Sequence, residues 1–108
     1  MLFYDVHTHK KPNNSCIAIQ NLILSPSDYP KLEKHSLYSL GYHPWFCDTT
    51  ITKDSWEQFS DVLLSETVCA IGEIGLDKTK KTTFDLQKSI FLYQIKLSEL
   101  HQKPVIIH

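Results

Sequence analysis

Four places in this 108-residue sequence put histidine or carboxylate side chains at the end of an apolar run. The first is Asp5-Val6-His7-Thr8-His9. Side chains two apart on a strand point the same way. His7 and His9 can therefore offer two imidazoles to one metal ion, with Asp5 on the same side as a group that orients them. A chance pair of surface histidines is the alternative. The second place is Gly41-Tyr42-His43-Pro44-Trp45. The residue before proline is pushed toward extended geometry. That either fixes His43 on a strand-end rim facing a ligand or makes a plain turn. The third is Ala70-Ile71-Gly72-Glu73-Ile74-Gly75-Leu76-Asp77. A carboxylate within so apolar a run is costly to bury unless it is paired or bound to metal. Glu73 is thus a metal ligand or half of a structural ion pair. Its flanking glycines permit close backbone approach to a ligand or an unusual turn. Asp77, just beyond, orients a ligand or a substrate, or caps a turn. The fourth is Pro104-Val105-Ile106-Ile107-His108. One histidine at a strand end says little; His7 with His9, then Glu73, then His108 is a pattern. This mixed set suits zinc, manganese or magnesium rather than a thiolate-type structural zinc site.

The elements that must carry these groups can be read from apolar patterning. Five segments read as strands: Leu2–His7, Ile17–Leu24, Ser36–Gly41, Val68–Ile74 and Pro104–His108. Most are continuous apolar runs, as expected of strands buried on both faces of a parallel sheet. Residues 54–66 place Trp56, Phe59 and Leu63 at helical spacing, and Asp54 with Glu57 has the form of a capping box. Residues 84–102 place Leu86, Ile90, Tyr93, Leu97 and Leu100 on one face. Pro104 then marks the entry to the last strand. Helix before strand, twice, is the alternation of a parallel α/β protein. The first half is less regular. Lys10–Ser15 is too short for a crossover helix, and residues 25–35 hold two prolines and one turn of helix at most. In a (β/α) barrel, catalytic groups sit at the C-terminal ends of strands, where all the candidates fall.

Composition narrows the class. Hydrophobic residues at 42% and charged residues at 21% describe one soluble globular domain. With a net charge of −1 and basic runs no longer than Lys10-Lys11 and Lys80-Lys81, there is no general polyanion-binding surface. A nucleic-acid substrate would need metal ions to supply most of the positive field. No apolar run approaches the roughly 20 residues that span a bilayer, and Met1–Asp5 does not begin a signal peptide. Cys16, Cys47 and Cys69 are odd in number and far apart, which points to reduced, mostly buried thiols in the cytoplasm. Asn13-Asn14-Ser15 matches a glycosylation pattern that, without a secretory signal, carries no weight.

Taken together, D-x-H-x-H at Asp5–His9, G-x-H-P at Gly41–Pro44, G-E-I-G-L-D at Gly72–Asp77 and P-V-x-x-H at Pro104–His108 resemble the TatD family of metal-dependent hydrolases. Gln87, Phe91 and Gln94 match the Q-x-x-x-F-x-x-Q pattern that precedes the last motif. The match spans essentially the whole chain, and the set of motifs is highly specific. The resemblance implies a TIM-type barrel, here represented by about its first five strands as a partial barrel over residues 1–108. It implies a phosphodiesterase or deoxyribonuclease that uses two divalent ions, with DNA or another phosphodiester as substrate. By resemblance His7 and His9 bind one ion, Glu73 bridges two, and His108 binds the second. Asp5, His43 and Asp77 fall around the site in outer-shell or substrate roles. Two-metal chemistry clamps both the attacking and the leaving oxygen of a phosphodiester.

Three departures from the family pattern stand out. Two further ligands, a strand-6 histidine and a strand-8 aspartate, would lie beyond residue 108. The segment between strands 1 and 2 is short, and Lys78 stands where an aromatic is common. A complete (β/α)₈ barrel takes about 250 residues, and an open five-stranded sheet leaves apolar edges uncovered. The expectation is therefore a truncated product, or one whose missing barrel half comes from another chain, with little activity alone. The rival readings are an amidohydrolase-like amide, ester or lactone hydrolase, a PHP-type phosphoesterase, and an inactive fragment. The G-E-I-G-L-D strand argues against the PHP type. Glu73 stands where many amidohydrolases carry a carboxylated lysine.

Overall fold

The computed structural model describes residues 2–25, 29–80 and 83–108. Five strands form one sheet in the order β1 (Phe3–Thr8), β2 (Cys16–Ile23), β3 (Leu37–Gly41), β4 (Val68–Ile74) and β5 (Val105–Ile107). Every neighbouring pair is parallel. The sheet curls into a half-barrel, as expected of a partial TIM barrel. α1 (Lys53–Val62) connects β3 to β4, and α2 (Phe84–His101) connects β4 to β5. β1 passes to β2 without a helix. No turn of helix forms over residues 29–35; residues 26–28, and Lys81 of the second basic pair, lie outside the described residues. Among the described residues no helix is long and apolar enough to cross a membrane.

The core lies between β2–β4 and the two helices. Leu40, Tyr42, Phe59, Leu63, Ile71 and Ile90 belong to it, and Phe59, at 0% exposure, is packed edge-on to Tyr42. β1 is different: Phe3, Tyr4 and Val6 remain largely exposed at the sheet edge.

Several expectations need correction. α1 is capped by Thr52, whose hydroxyl accepts the Ser55 N–H at 3.1 Å, and not by an Asp54–Glu57 box. Asp54 sits within the first turn, where its charge favours the helix dipole. The helix ends at Val62 rather than residue 66. Beyond it Ser65 binds the Thr67 N–H through its hydroxyl and the Val68 N–H through its carbonyl, a local turn that competes with helix. α2 stops one residue early because Gln102 adopts a left-handed conformation and closes the helix end. Of the three free thiols only Cys47 is buried; Cys16 and Cys69 are half-buried. Burial, with Asp48 nearby, pushes the Cys47 thiol up to about 12.

Candidate metal centre

The site is built where β1, β3, β4 and β5 end. Glu73 is the penultimate residue of β4. Gly72 lets β5 come close, since a Cβ there would stand 2.6 Å from Cβ of Ile106. Gly75, at φ +153°, turns the chain against the His108 backbone. The peptide joining Gly72 to Glu73 is cis.

The Glu73 carboxylate, 17% exposed, is ringed by imidazoles. Oε2 lies 3.3 Å from Nε2 of His7 and 3.9 Å from Nε2 of both His9 and His43. Oε1 lies 3.0 Å from Nδ1 of His108. Two overlapping donor groups result: His7, His9 and Glu73, and His43, Glu73 and His108. In each, the candidate ligand atoms all lie within 4.8 Å of one another. Burial pushes the Glu73 carboxyl up, but the His108 hydrogen bond and the attraction its carboxylate would gain from protonated His43, His7 and His108 outweigh it and place it below its ordinary value. The ionic partners of Glu73 are all histidines, which carry no charge when neutral. A carboxylate ringed by imidazole nitrogens is a mixed nitrogen and oxygen donor set, and its chemistry fits a divalent metal.

His43 differs from the other three histidines. It caps the short 3₁₀ turn Pro44–Phe46, and its Nδ1 accepts the Trp45 N–H at 3.1 Å. A neutral ring with Nδ1 as acceptor carries its proton on Nε2. Burial, then the neighbouring His108, pushes the His43 pKa below the usual histidine value, while Glu73 pulls the other way. The buried, neutral His43 thus presents an N–H toward Glu73 instead of a lone pair toward a metal. Geometry alone would admit it as a ligand; its backbone hydrogen bond makes it a donor.

Asp77 sits on the other side of His108, with Oδ2 3.7 Å from Nε2 while Nδ1 faces Glu73. A carboxylate near Nε2 favours the tautomer that frees Nδ1 for a metal. The hydroxyl and backbone N–H of Thr79 and the indole N–H of Trp45 hold the Asp77 carboxyl at about 2. Trp45 also contacts the rings of His43 and His108. Asp5 accepts the His7 backbone N–H at 3.0 Å, so it shapes the end of β1.

α2 fixes two of these loops from behind. Gln94 accepts the Tyr42 N–H at 2.8 Å and donates to the Tyr42 carbonyl at 3.2 Å, just before His43. Gln87 does the same for Asp77, at 2.8 and 3.2 Å. Both amides are almost wholly buried. Trp45, Thr79 and Asn21, described below, were not among the residues singled out from sequence. A polar residue inside the apolar run Ile17–Leu24 was the available signal for Asn21, by the same reasoning that singled out Glu73.

Residues 23–108 match the family model described as TatD-related DNase. Over 71 residues the chain is 35% identical to an uncharacterized metal-dependent hydrolase, YabD, of Bacillus subtilis strain 168. That alignment covers 65% of this chain and 28% of the relative.

Proposed function

The chain belongs to the TatD-related DNase family, and on that premise we propose that it carries half of the active site of a metal-dependent hydrolase that cleaves phosphodiesters, DNA among them. The observation that carries the reading is the double engagement of Glu73. One carboxylate oxygen faces His7 and His9, and the other faces His108. A single carboxylate placed between two nitrogen donor sets is suited to bridge two divalent ions, zinc, manganese or magnesium. When bound, such ions supply Lewis-acid charge at the phosphoryl oxygens and a water acidified toward a pKa of about 7.

The chain's own groups divide the remaining work. His7, His9 and His108 hold metal through nitrogen. Asp77 keeps the His108 ring turned so that Nδ1 faces the site. His43, with its proton on Nε2, donates a hydrogen bond to a phosphoryl oxygen as charge builds there. The remaining donors come from the rest of the barrel, supplied by further strands of the same polypeptide or by another chain. The free thiols suit a reducing cytoplasm.

The test is hydrolysis of bis(p-nitrophenyl) phosphate and of a labelled DNA oligonucleotide with Mn²⁺, Mg²⁺ or Zn²⁺. It is run on this chain and on the chain extended to a full barrel. The expected result is metal-dependent cleavage by the full barrel that chelator or Glu73→Gln abolishes. Hydrolysis of amide or lactone substrates with phosphodiesters untouched would overturn the phosphodiesterase reading.

A further inference from the structure

Asn21 is the sixth of eight residues in β2 and 3% exposed, in a strand whose remaining residues apart from Gln20 are apolar. Its side-chain amide donates to Oγ of Ser39 on β3 at 2.9 Å and to the carbonyl of Gly72 on β4 at 2.5 Å. The side chain therefore crosses a whole strand. It can do so because the residue beneath it, Ser39, is small and fully buried.

The carbonyl it reaches is that of the residue before Glu73. The strand ladders are irregular there. Register between β3 and β4 runs up to Leu40 opposite Ile71, and register between β4 and β5 shifts between Gly72 and Ile74. A buried carbonyl needs a partner, and Asn21 provides one from two strands away. The plane of the Gly72–Glu73 peptide sets the direction in which the Glu73 side chain leaves β4. Gly72 has no side chain of its own to resist rotation, and a Cβ is excluded by Ile106. The tie from Asn21 is a polar contact on this plane from beyond the adjacent strands.

We infer that Asn21 is a positioning residue for the metal centre: its bond to the Gly72 carbonyl aims the Glu73 carboxylate at His7 and His108. The inference rests on the reading of Glu73 as the central ligand. It assigns no contact between Asn21 and metal or substrate.

The experiment compares Asn21→Asp and Asn21→Leu with Ser39→Ala in the 108-residue chain. Asn21→Asp keeps the shape and removes the amide donor; Ser39→Ala removes the other partner of Asn21 and leaves the Gly72 bond. Two readouts are taken: Mn²⁺ affinity by calorimetry, and the ¹⁵N shifts of the His7 and His108 rings in metal-free protein. Outer groups that orient a metal site are worth about 10- to 100-fold in affinity. The Asn21 variants are expected to bind Mn²⁺ at least tenfold more weakly and to move the His7 and His108 ring shifts. Ser39→Ala is expected to stay within threefold of the parent with its ring shifts in place, whatever its thermal midpoint.

Equal losses in Ser39→Ala and the Asn21 variants would make the effect one of general stability and overturn the inference. Unchanged affinity and ring shifts in a folded Asn21 variant would overturn it too. So would failure of both Asn21 variants to fold while Ser39→Ala folds, since Asn21 would then be a determinant of the fold. The ring spectra need no metal. A parent chain that binds no ion counts against the metal-centre reading, and the spectra still decide the role of Asn21.

Discussion

Replacing Glu73 by glutamine removes one charge and keeps the side chain's size and one coordinating oxygen. Its effect follows from the geometry of the two donor groups. Their ligand atoms lie within 4.8 Å of one another, so an ion held among them is closer than that to the carboxylate. Unit charges about 4 Å apart near a protein surface interact by about 4 kcal/mol, and a divalent ion doubles that to about 8 kcal/mol. Ion and carboxylate desolvation, with the amide dipole that remains, offset most of it and leave a loss of about 2 kcal/mol per ion, or about 30-fold in Kd. Isothermal titration of Mn²⁺ into Glu73→Gln and parent measures this directly. Glu57→Gln is the matched control, because Glu57 carries the same charge in an exposed pair with Lys53 on α1. Its affinity should equal the parent's. If Glu73→Gln bound the same number of ions within threefold of the parent Kd, the central role of this carboxylate would be refuted.

Three further outcomes are expected. Phe59→Ala removes a fully buried ring packed against Tyr42 and should cost about 3–5 kcal/mol in urea unfolding; a loss under about 1 kcal/mol would mean that α1 does not pack as described. Asp77 titrates near 2 in the fold against an ordinary 3.8, so its stabilisation is present above pH 3.8 and is lost as pH falls through about 2. The difference in urea midpoint between parent and Asp77→Asn, measured in chelator, should be constant from pH 7 to 4 and vanish toward pH 2; a difference that grew as the pH fell would contradict this sign. Cys47, buried and pushed up to about 12, should resist iodoacetamide at pH 8 in the native chain while Cys16 is modified. Mass-spectrometric peptide mapping would show the order, and prior labelling of Cys47 would argue against its burial.

The parts of this protein that sequence makes legible are those governed by local periodicity. β4 runs from Val68 to Ile74, as its unbroken apolar run predicts, and α2 occupies the span drawn by Leu86, Ile90 and Leu97. Element ends were less legible because they are decided by single hydrogen bonds. Thr52 outcompetes Asp54 as a cap, and the Ser65 turn stops α1 early. In the site, strand alternation and strand-end placement single out His7, His9, Glu73 and His108, which the curled parallel sheet brings together at the C-terminal ends of β1, β4 and β5. The state of His43 was not legible. It depends on a backbone N–H two residues later, in a 3₁₀ turn that apolar periodicity does not reveal. Trp45 and Asn21 stayed hidden for a similar reason: their partners, Asp77 and Gly72, are 32 and 51 positions away in the chain.

The amides of Tyr42 and Asp77 follow strand ends, where backbone groups ordinarily exchange with solvent through small local openings. Here each is held by a glutamine of α2, Gln94 and Gln87. Each acceptor is a side-chain oxygen almost wholly buried under the helix, so exchange requires that side chain to leave its place beneath α2. In hydrogen–deuterium exchange these two loop residues should share the lifetime of α2 and not that of their own loops. The residue before His43 and the loop that follows Glu73 thus inherit the persistence of α2.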